Sequence, residues 1–498
     1  MADFDLAIIG GGINGTGIAR DAAGRGLRVL LVEQGDLASG TSSASSKLIH
    51  GGLRYLEQRA FRLVREALAE REVLLRMAPH IVRPMRFILP AGPGPRSAVL
   101  MRLGLFIYDH LGGRRILPPT RTFDLTHHLY GHPLNRRYRV GFEYSDCCVD
   151  DARLVILNAV DAAERGATIR TRTRCIRAER SDTWRLILSD RGRRDVVTAR
   201  VLVNAAGPWV GSVGENIIRG DAPDRLRLVK GSHIVVRRLF HHDRGYILQS
   251  TDGRVIFALP FERDFTLIGT TDENFAGDPA AVAPTGEEIT YLCNSVNEYF
   301  RDTIGVGDVK WAFAGVRSLY DDGAKKPADV TRDYHLTLDE RFREAPLLTV
   351  YGGKITTYRR LAEEALKRMS HFFQPRPAWT AKAPLPGGDF PYDAFDAQVA
   401  QARETWPFLE MDHARRLVHA YGTRIGRIIE TAKSMDDLGA RFGADLTAAE
   451  VRYLMQHEWA ENEDDVLWRR TKLGLHVTAA DRQALGRFMA SSVGAPAG

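Results

Sequence analysis

Asp5-Leu-Ala-Ile-Ile-Gly10-Gly-Gly12-Ile-Asn14-Gly15-Thr-Gly17 decides the fold. A short apolar run stops at three glycines, residues 18–24 continue with helical spacing, and Leu27-Arg-Val-Leu-Leu-Val32 forms a second apolar run ending on Glu33. Gly10, Gly12 and Gly15 fit G-x-G-x-x-G, and Glu33 lies 18 residues beyond Gly15. Glycines there let the backbone turn tightly and approach a pyrophosphate, whose charge sits at the positive end of the helix, while the acid takes ribose hydroxyls. A glycine triplet alone would equally suit a helix cap. The strand before it, the helix after it and the acid at its distance select a βαβ dinucleotide site, with Gly10, Gly12, Asn14, Gly15 and Glu33 as contacts.

Length and composition set the bounds. A chain of 498 residues with 44% hydrophobic content forms two or three domains with a sizeable core. Four cysteines without C-x-x-C spacing read as reduced thiols. The first strand opens near residue 5, so no presequence is expected, and the longest uncharged run is 14 residues, too short to span a bilayer. The expected location is the cytosol or the cytosolic surface of a membrane. The net charge of +7 is concentrated locally: residues 76–123 hold eight arginines and one acid, whereas residues 391–498 hold 13 basic and 16 acidic residues.

Thr41-Ser42-Ser-Ala-Ser45-Ser-Lys47-Leu48-Ile-His50-Gly-Gly-Leu-Arg54-Tyr55-Leu follows the first unit. Small hydroxyl residues and glycines suit a segment laid against a cofactor, where bulk is excluded and donors are needed. Residues 53–75 then show helical periodicity. Val99-Leu-Met-Arg-Leu-Gly-Leu-Phe-Ile-Tyr108 is strongly apolar amid arginines. Two readings stand for it: a buried core helix, or an interfacial helix facing anionic lipid. A nucleic-acid surface is disfavoured by the apolar content and the lack of a binding motif.

Residues 150–166 form an amphipathic helix, strands follow, and Val201-Leu-Val-Asn-Ala-Ala206-Gly207-Pro-Trp209 ends a strand on small residues that allow close backbone approach. Such a return to the nucleotide fold after an excursion is typical of flavoproteins. Residues 221–310 read as a mainly β region, and the nucleotide fold resumes near Trp311. Gly352-Gly353-Lys354-Ile-Thr356-Thr-Tyr-Arg359-Arg360 opens a helix with cations at its positive pole, against the usual preference. An anion facing that turn resolves the conflict. For a flavin it is the N1–C2=O edge, which gains charge on reduction. Arg54, Lys230, His233, Arg317, Arg332 and Lys354 come from separate segments beside strand ends or glycines. If they converge, they suit a phosphate ester. His233 has a pKa suited to accepting a hydroxyl proton; a core histidine on a strand is the lesser reading of that position.

These residues together resemble the FAD-dependent respiratory glycerol-3-phosphate dehydrogenases of the D-amino-acid-oxidase-like flavoproteins. The resemblance covers nearly the whole chain. It rests on the glycine fingerprint, the 41–56 block, Asp146, Asp150-Asp-Ala-Arg153, Lys230-Gly-Ser-His233, Ile268-Gly-Thr-Thr-Asp272, Gly315-Val-Arg317, Thr331-Arg-Asp333 and Gly352-Gly-Lys354. His457-Glu-Trp459 and Asp465-Val-Leu-Trp-Arg-Arg-Thr-Lys472 resemble the family's helical C-terminal domain. The presequence and EF-hands of mitochondrial relatives have no counterpart here.

The resemblance implies an α/β protein: a discontinuous Rossmann-like FAD domain (1–75, 150–215 and 311–383), a mainly β cap (76–149 and 216–310, with 76–123 a candidate membrane-facing segment) and an all-α C-terminal domain (389–498). It implies oxidation of sn-glycerol 3-phosphate to dihydroxyacetone phosphate, with electrons passed to a membrane quinone. His233, Arg317 and Lys354 would be catalytic, with Arg54, Tyr55, Lys230, Thr270 and Arg332 around the substrate. Cofactor contacts would add Thr41, Ser42, Ser45, Lys47 and Leu48, then Cys175, Ala206, Gly207 and Trp209, then Gly353, Lys354 and Thr356. The expected setting is peripheral attachment to an anionic inner membrane face, without nucleic acid; a homodimer is left open.

Three other readings compete. A glycerophosphate oxidase using oxygen would carry an insertion, which is not evident. An amine or amino-acid oxidase would want aromatic or acidic partners where this chain has cations. An FAD-holding RNA-binding scaffold would use residues 76–123 as its nucleic-acid face.

Overall fold

The computed structural model describes residues 2–492 apart from 57–58, 93–97, 113–115, 220–225, 251, 270–271, 322, 324–329 and 331. Phe4–Ile9 lies at the centre of the first sheet. It pairs in parallel with Val29–Val32 on one side and Arg193–Asn204 on the other. Leu347–Tyr351 extends the parallel run, His335–Asp339 closes that edge antiparallel, and Thr168–Arg170 closes the other. The paired stretches 6–9, 29–32 and 201–203 are apolar and buried because both faces are covered.

One covering layer is the packed set of helices Ile13–Gly24, Asp151–Glu164 and Tyr358–Arg368. A Cβ at Gly17 would sit 2.7 Å from the Tyr358 ring, so the first and last of these approach through a glycine. Asn158 Nδ2 donates to the Tyr358 hydroxyl at 3.0 Å, and Arg20 pairs with Asp161 at 2.6 Å, so polar groups between the helices are satisfied. Asp150 caps the second helix by accepting from Arg153 N. Leu361, Ala365, Leu366 and Met369, the apolar stripe of the last of these helices, are buried in this layer.

The second sheet is mostly antiparallel. Its main path runs Glu273–Asn274, Leu226–Arg237, Phe265–Gly269, Val255–Phe261, Gly245–Gln249, Val82–Ala91, Val140–Val149 and Leu48–Ile49. One expectation is corrected here. Val309–Tyr320, read as the return to the nucleotide fold, pairs along its length with Leu226–Arg237 and belongs to this sheet. Its alternation shows a strand but carries no information on which sheet accepts it; the equally long partner, with a bulge at Val235/Val236, decides.

Helices Phe395–Thr405, Met411–Tyr421, Ala448–His457 and Ala479–Ser492 enclose a separate core that includes Val399, Leu417, Ile429, Leu454 and Leu485. They dock on the body through Arg153, whose guanidinium bonds Glu458 at 3.0 Å and the Ala420 carbonyl at 2.9 Å in full burial.

The apolar 99–108 run lies in the helix Ala98–Leu111 and is not a core helix. Met101, Leu105 and Tyr108 face inward, while Val99, Leu100, Leu103 and Phe106 are 80%, 56%, 55% and 61% exposed. Part of the surrounding basic excess is consumed internally: Arg86 pairs with Glu143. Arg96, Arg114 and Arg115 lie outside the described residues.

Candidate active site

Two cavities meet between the sheets. One, of about 680 Å³, begins at the Gly10–Gly12 turn and Glu33 and runs past 39–44, Cys175, 205–209 and 311–319. The other, of about 490 Å³, continues from it through Ser42, Arg317 and Gly353 to His50, Arg54, Tyr55, Arg332, Lys354 and Thr356.

The first cavity has the form of a dinucleotide crevice. A Cβ at Gly15 would meet the Gly10 carbonyl oxygen at 1.9 Å, and one at Gly10, where φ is +116°, would meet the Ala205 carbonyl oxygen at 2.5 Å. Backbone therefore approaches backbone where only glycine fits. The helix beginning at Ile13 has no acid in its first turn, leaving its positive end for an anion. Glu33 accepts from Gly11 N and Gly35 N, both at 2.7 Å, and burial raises its pKa above the usual carboxylate range. Asn14 Nδ2 donates to the Gly352 carbonyl at 3.0 Å, while its buried Oδ1 has no partner among the described residues. Ala206, Gly207, with φ +55°, and Trp209 form the opposite wall. Cys175 lines the crevice as a neutral thiol, pushed up to about 12 by burial. Such a cradle fits an extended dinucleotide.

The serine-rich block shapes the junction. Ser42 Oγ accepts from Ile13 N at 3.0 Å, Thr41 bonds the Val316 carbonyl, and Leu48 lines the second cavity. Ser45 donates twice to Asp151. Lys47, expected against the cofactor, lines neither cavity. Its φ is +57°, and its ammonium is buried on Asp151 at 2.9 Å and on the Ser43 carbonyl, so it shapes the loop.

Around the second cavity, Asp272 bonds Arg317 at 2.7 Å and Arg332 at 2.9 Å, holding two guanidinium groups side by side. Lys354 Nζ lies 3.6 Å from the Tyr55 ring centroid, buried, with no hydrogen-bonding acceptor among the described residues. Burial lowers the Lys354 pKa, and for the Tyr55 phenol burial works upward but Lys354, Arg332 and Arg317 outweigh it. Arg359 and Arg360 do not share this role: Arg359 is bound by Glu70 and Glu363, and Arg360 faces Glu363. Thr356 bonds the His50 backbone at 3.3 Å, and the Tyr108 hydroxyl accepts from Gly51 N while donating to Asp146 at 2.7 Å. The 50–55 segment is thus pinned on both sides.

Two expected site residues lie elsewhere. Lys230 pairs with Glu288 at 2.8 Å on the far face of its strand and lines neither cavity. His233 is fully buried, stacked on Phe313 and bonded through Nε2 to Ser46 Oγ at 2.9 Å, and it too lines neither cavity. Lys230 is on the strand face opposite the cavity, whereas His233 shares the face of Phe313, Gly315 and Arg317 and sits directly behind the lining residues Ser46 and Phe313. Thr270 lies outside the described residues. The histidine that does face the cavity is His50, held neutral with a pKa of about 3 by burial and by Lys354 and Arg71. His50 and Asp272 sat inside recognised motifs, but nothing in their spacing singled them out. The outer part of the cavity, with Leu89, Leu100, Leu103, Ile107 and Phe257, is apolar and carried no motif.

This architecture, a glycine-lined crevice joined to a cation-lined pocket between two sheets, defines a flavin-dependent oxidoreductase. The chain belongs to the FAD dependent oxidoreductase family, whose model matches residues 5–359; residues 378–492 match the C-terminal domain of alpha-glycerophosphate oxidase. A glycerol-3-phosphate dehydrogenase of Pseudomonas aeruginosa is 52% identical, covering 98% of this chain and 95% of the relative. A D-erythritol 1-phosphate dehydrogenase of Brucella abortus is 51% identical, covering 96% of each. The structure of a Bacillus halodurans glycerol-3-phosphate dehydrogenase complexed with FAD superposes with a TM-score of 0.79 at 27% identity, over 98% of this chain and 90% of the other.

Gly15→Ala should yield protein without bound flavin, because its Cβ would displace the turn from Gly10. The visible absorption spectrum of the purified variant checks this; a normal flavin band would show that the crevice does not depend on that approach.

Proposed function

We propose that the protein oxidises sn-glycerol 3-phosphate at C2 to dihydroxyacetone phosphate, using FAD and passing the electrons on to a membrane quinone. The observation that carries the substrate reading is the buried, acceptor-free ammonium of Lys354 beside the Arg317–Asp272–Arg332 cluster. A buried cation without an acceptor is costly, and a phosphate dianion supplies both charge and acceptors. The names of the relatives agree on a phosphorylated polyol.

FAD, held by the 10–15 turn, Glu33, Ser42 and Gly353, supplies the hydride acceptor. Arg54, Arg317, Arg332 and Lys354, all lining the second cavity, bind the phosphate. His50, which lines the second cavity and is pinned through its backbone by Thr356, takes the C2 hydroxyl proton on a ring nitrogen. The two-sheet body carries the residues of this chemistry, and the helical region from 389 packs against it.

The acceptor reading rests on where the second cavity opens. Leu100 and Leu103 belong both to its lining and to the exposed apolar face of the Ala98–Leu111 helix. No helix among the described residues is long and apolar enough to cross a membrane. An exposed apolar helix face with Arg102 beside it suits docking at the inner, anionic face of a membrane, where a lipid-soluble quinone enters from the bilayer.

Anaerobic glycerol 3-phosphate should bleach the flavin, and a quinone analogue should restore it with little peroxide in air. Stoichiometric peroxide would identify an oxidase, and a larger kcat/KM on D-erythritol 1-phosphate would move the substrate to the four-carbon homologue. In stopped-flow reduction, His50→Gln should slow the flavin by about 100- to 10,000-fold, whereas His233→Gln should stay within a few-fold. Lys354→Met should lower kcat/KM by roughly 30- to 5,000-fold, the loss typical of a buried charged partner. The double variant Leu103→Ser/Phe106→Ser should weaken sedimentation with anionic vesicles by at least about 100-fold, since two large apolar side chains lose their burial in lipid.

A further inference from the structure

Residues 468–472, Trp-Arg-Arg-Thr-Lys, belong to the C-terminal helical region, beyond the stretch that the oxidoreductase family model covers. They nevertheless reach the cofactor crevice. Trp468 and Arg469 line it, on the same side as Trp311 and Phe313. The Trp468 and Trp311 rings are 4.6 Å apart, and Trp311 meets Phe313 at 4.5 Å, so an aromatic wall continues from the C-terminal region into the body. From behind, the Trp468 indole lies against Gly474, where a Cβ would be 2.5 Å from the ring. Its position is therefore set from both sides.

The neighbouring charges grip both loops that border the crevice. Asp36, buried on the turn that follows Glu33, is bound by Arg469 and by Arg470, the latter at 2.9 Å. Asp465 bonds Arg172 at 2.6 Å and also Arg469, while Arg172 N donates to the Gly35 carbonyl at 2.9 Å. On the other border, Lys472 Nζ is buried 3.7 Å from Asp150 and 4.0 Å from Asp151, the carboxylate that holds Ser45 and Lys47. Buried charges persist only when each finds its partner, so these loops and the 465–472 segment are placed together or not at all.

We propose that residues 468–472 are a latch on the cofactor: Trp468 closes one wall of the crevice, and Arg469, Arg470 and Lys472 hold its two bordering loops shut, so that this segment sets how slowly FAD leaves. The proposal rests on the FAD reading above. FAD bound in this crevice would gain contact area from Trp468 that the body alone does not offer.

FAD release from the full-length holoprotein, followed by the rise of flavin fluorescence after dilution, tests it. Trp468→Ala should release FAD about tenfold faster, the scale of one lost aromatic contact, and Trp468→Phe should fall between it and the wild type. Asp36→Asn should also speed release. Thermal midpoints of the apo and FAD-loaded forms separate a latch from simple packing. A latch narrows the gap between the two forms, whereas packing lowers both equally. Wild-type release rates in Trp468→Ala and Asp36→Asn, or equal falls in both midpoints, would overturn the latch and leave the FAD reading standing. A wild-type protein that neither carries nor takes up FAD would overturn both.

Discussion

The whole arrangement depends on one backbone approach. At Gly15 the first helix comes so near the end of the first strand that the space for a Cβ is already taken by the Gly10 carbonyl. That approach points the free amide groups of the helix start into a crevice, and the second close approach, Gly10 against Ala205, brings in the far wall from two hundred residues away. The parallel register of Phe4–Ile9 with Val29–Val32 and Arg193–Asn204 then places Glu33 and the 205–209 turn at the same end of the sheet. Ligands bind at that end in open parallel sheets because the strand ends and helix starts meet there.

Charge is distributed sparingly around this frame. Many arginines near the site are spent on structure: Arg20 on Asp161, Arg71 on Asp146, Arg153 on Glu458 and Arg359 on Glu70. Arg317 and Arg332 share a single carboxylate, and Lys354 has an aromatic face beneath it in place of an acid. The pocket is therefore left positive where we propose that the phosphate binds. Burial, with Lys354 and Arg71 beside it, holds the His50 imidazole neutral.

Much of this was legible in the chain. The glycine spacing and Glu33 announce the crevice, and the 41–56 block and Gly352-Gly-Lys354 announce its junction with the pocket, because each follows from local backbone demands that few other residues meet. His233 and Lys230 show where such reading stops. They lie three residues apart on one strand, so Lys230 points to the far face and Glu288, while His233 stays on the cavity face but behind Phe313, bonded to Ser46. Val309–Tyr320 was readable as a strand but joined the other sheet. The exposed face of Ala98–Leu111 could not be told from a core stripe, since an apolar run is the same whether protein or lipid covers it.

The sequence by itself determined the dinucleotide unit, the cation-rich composition of the site and the helical C-terminal region, all of which rest on short-range geometry and residue chemistry. Only the tertiary structure decided which histidine faces the substrate pocket, that Asp272 joins two arginines, and that Trp468 and Arg469 return to the crevice of a distant unit. Those are long-range encounters. They depend on strand pairing and on the docking of one packed layer against another, and no local spacing encodes them.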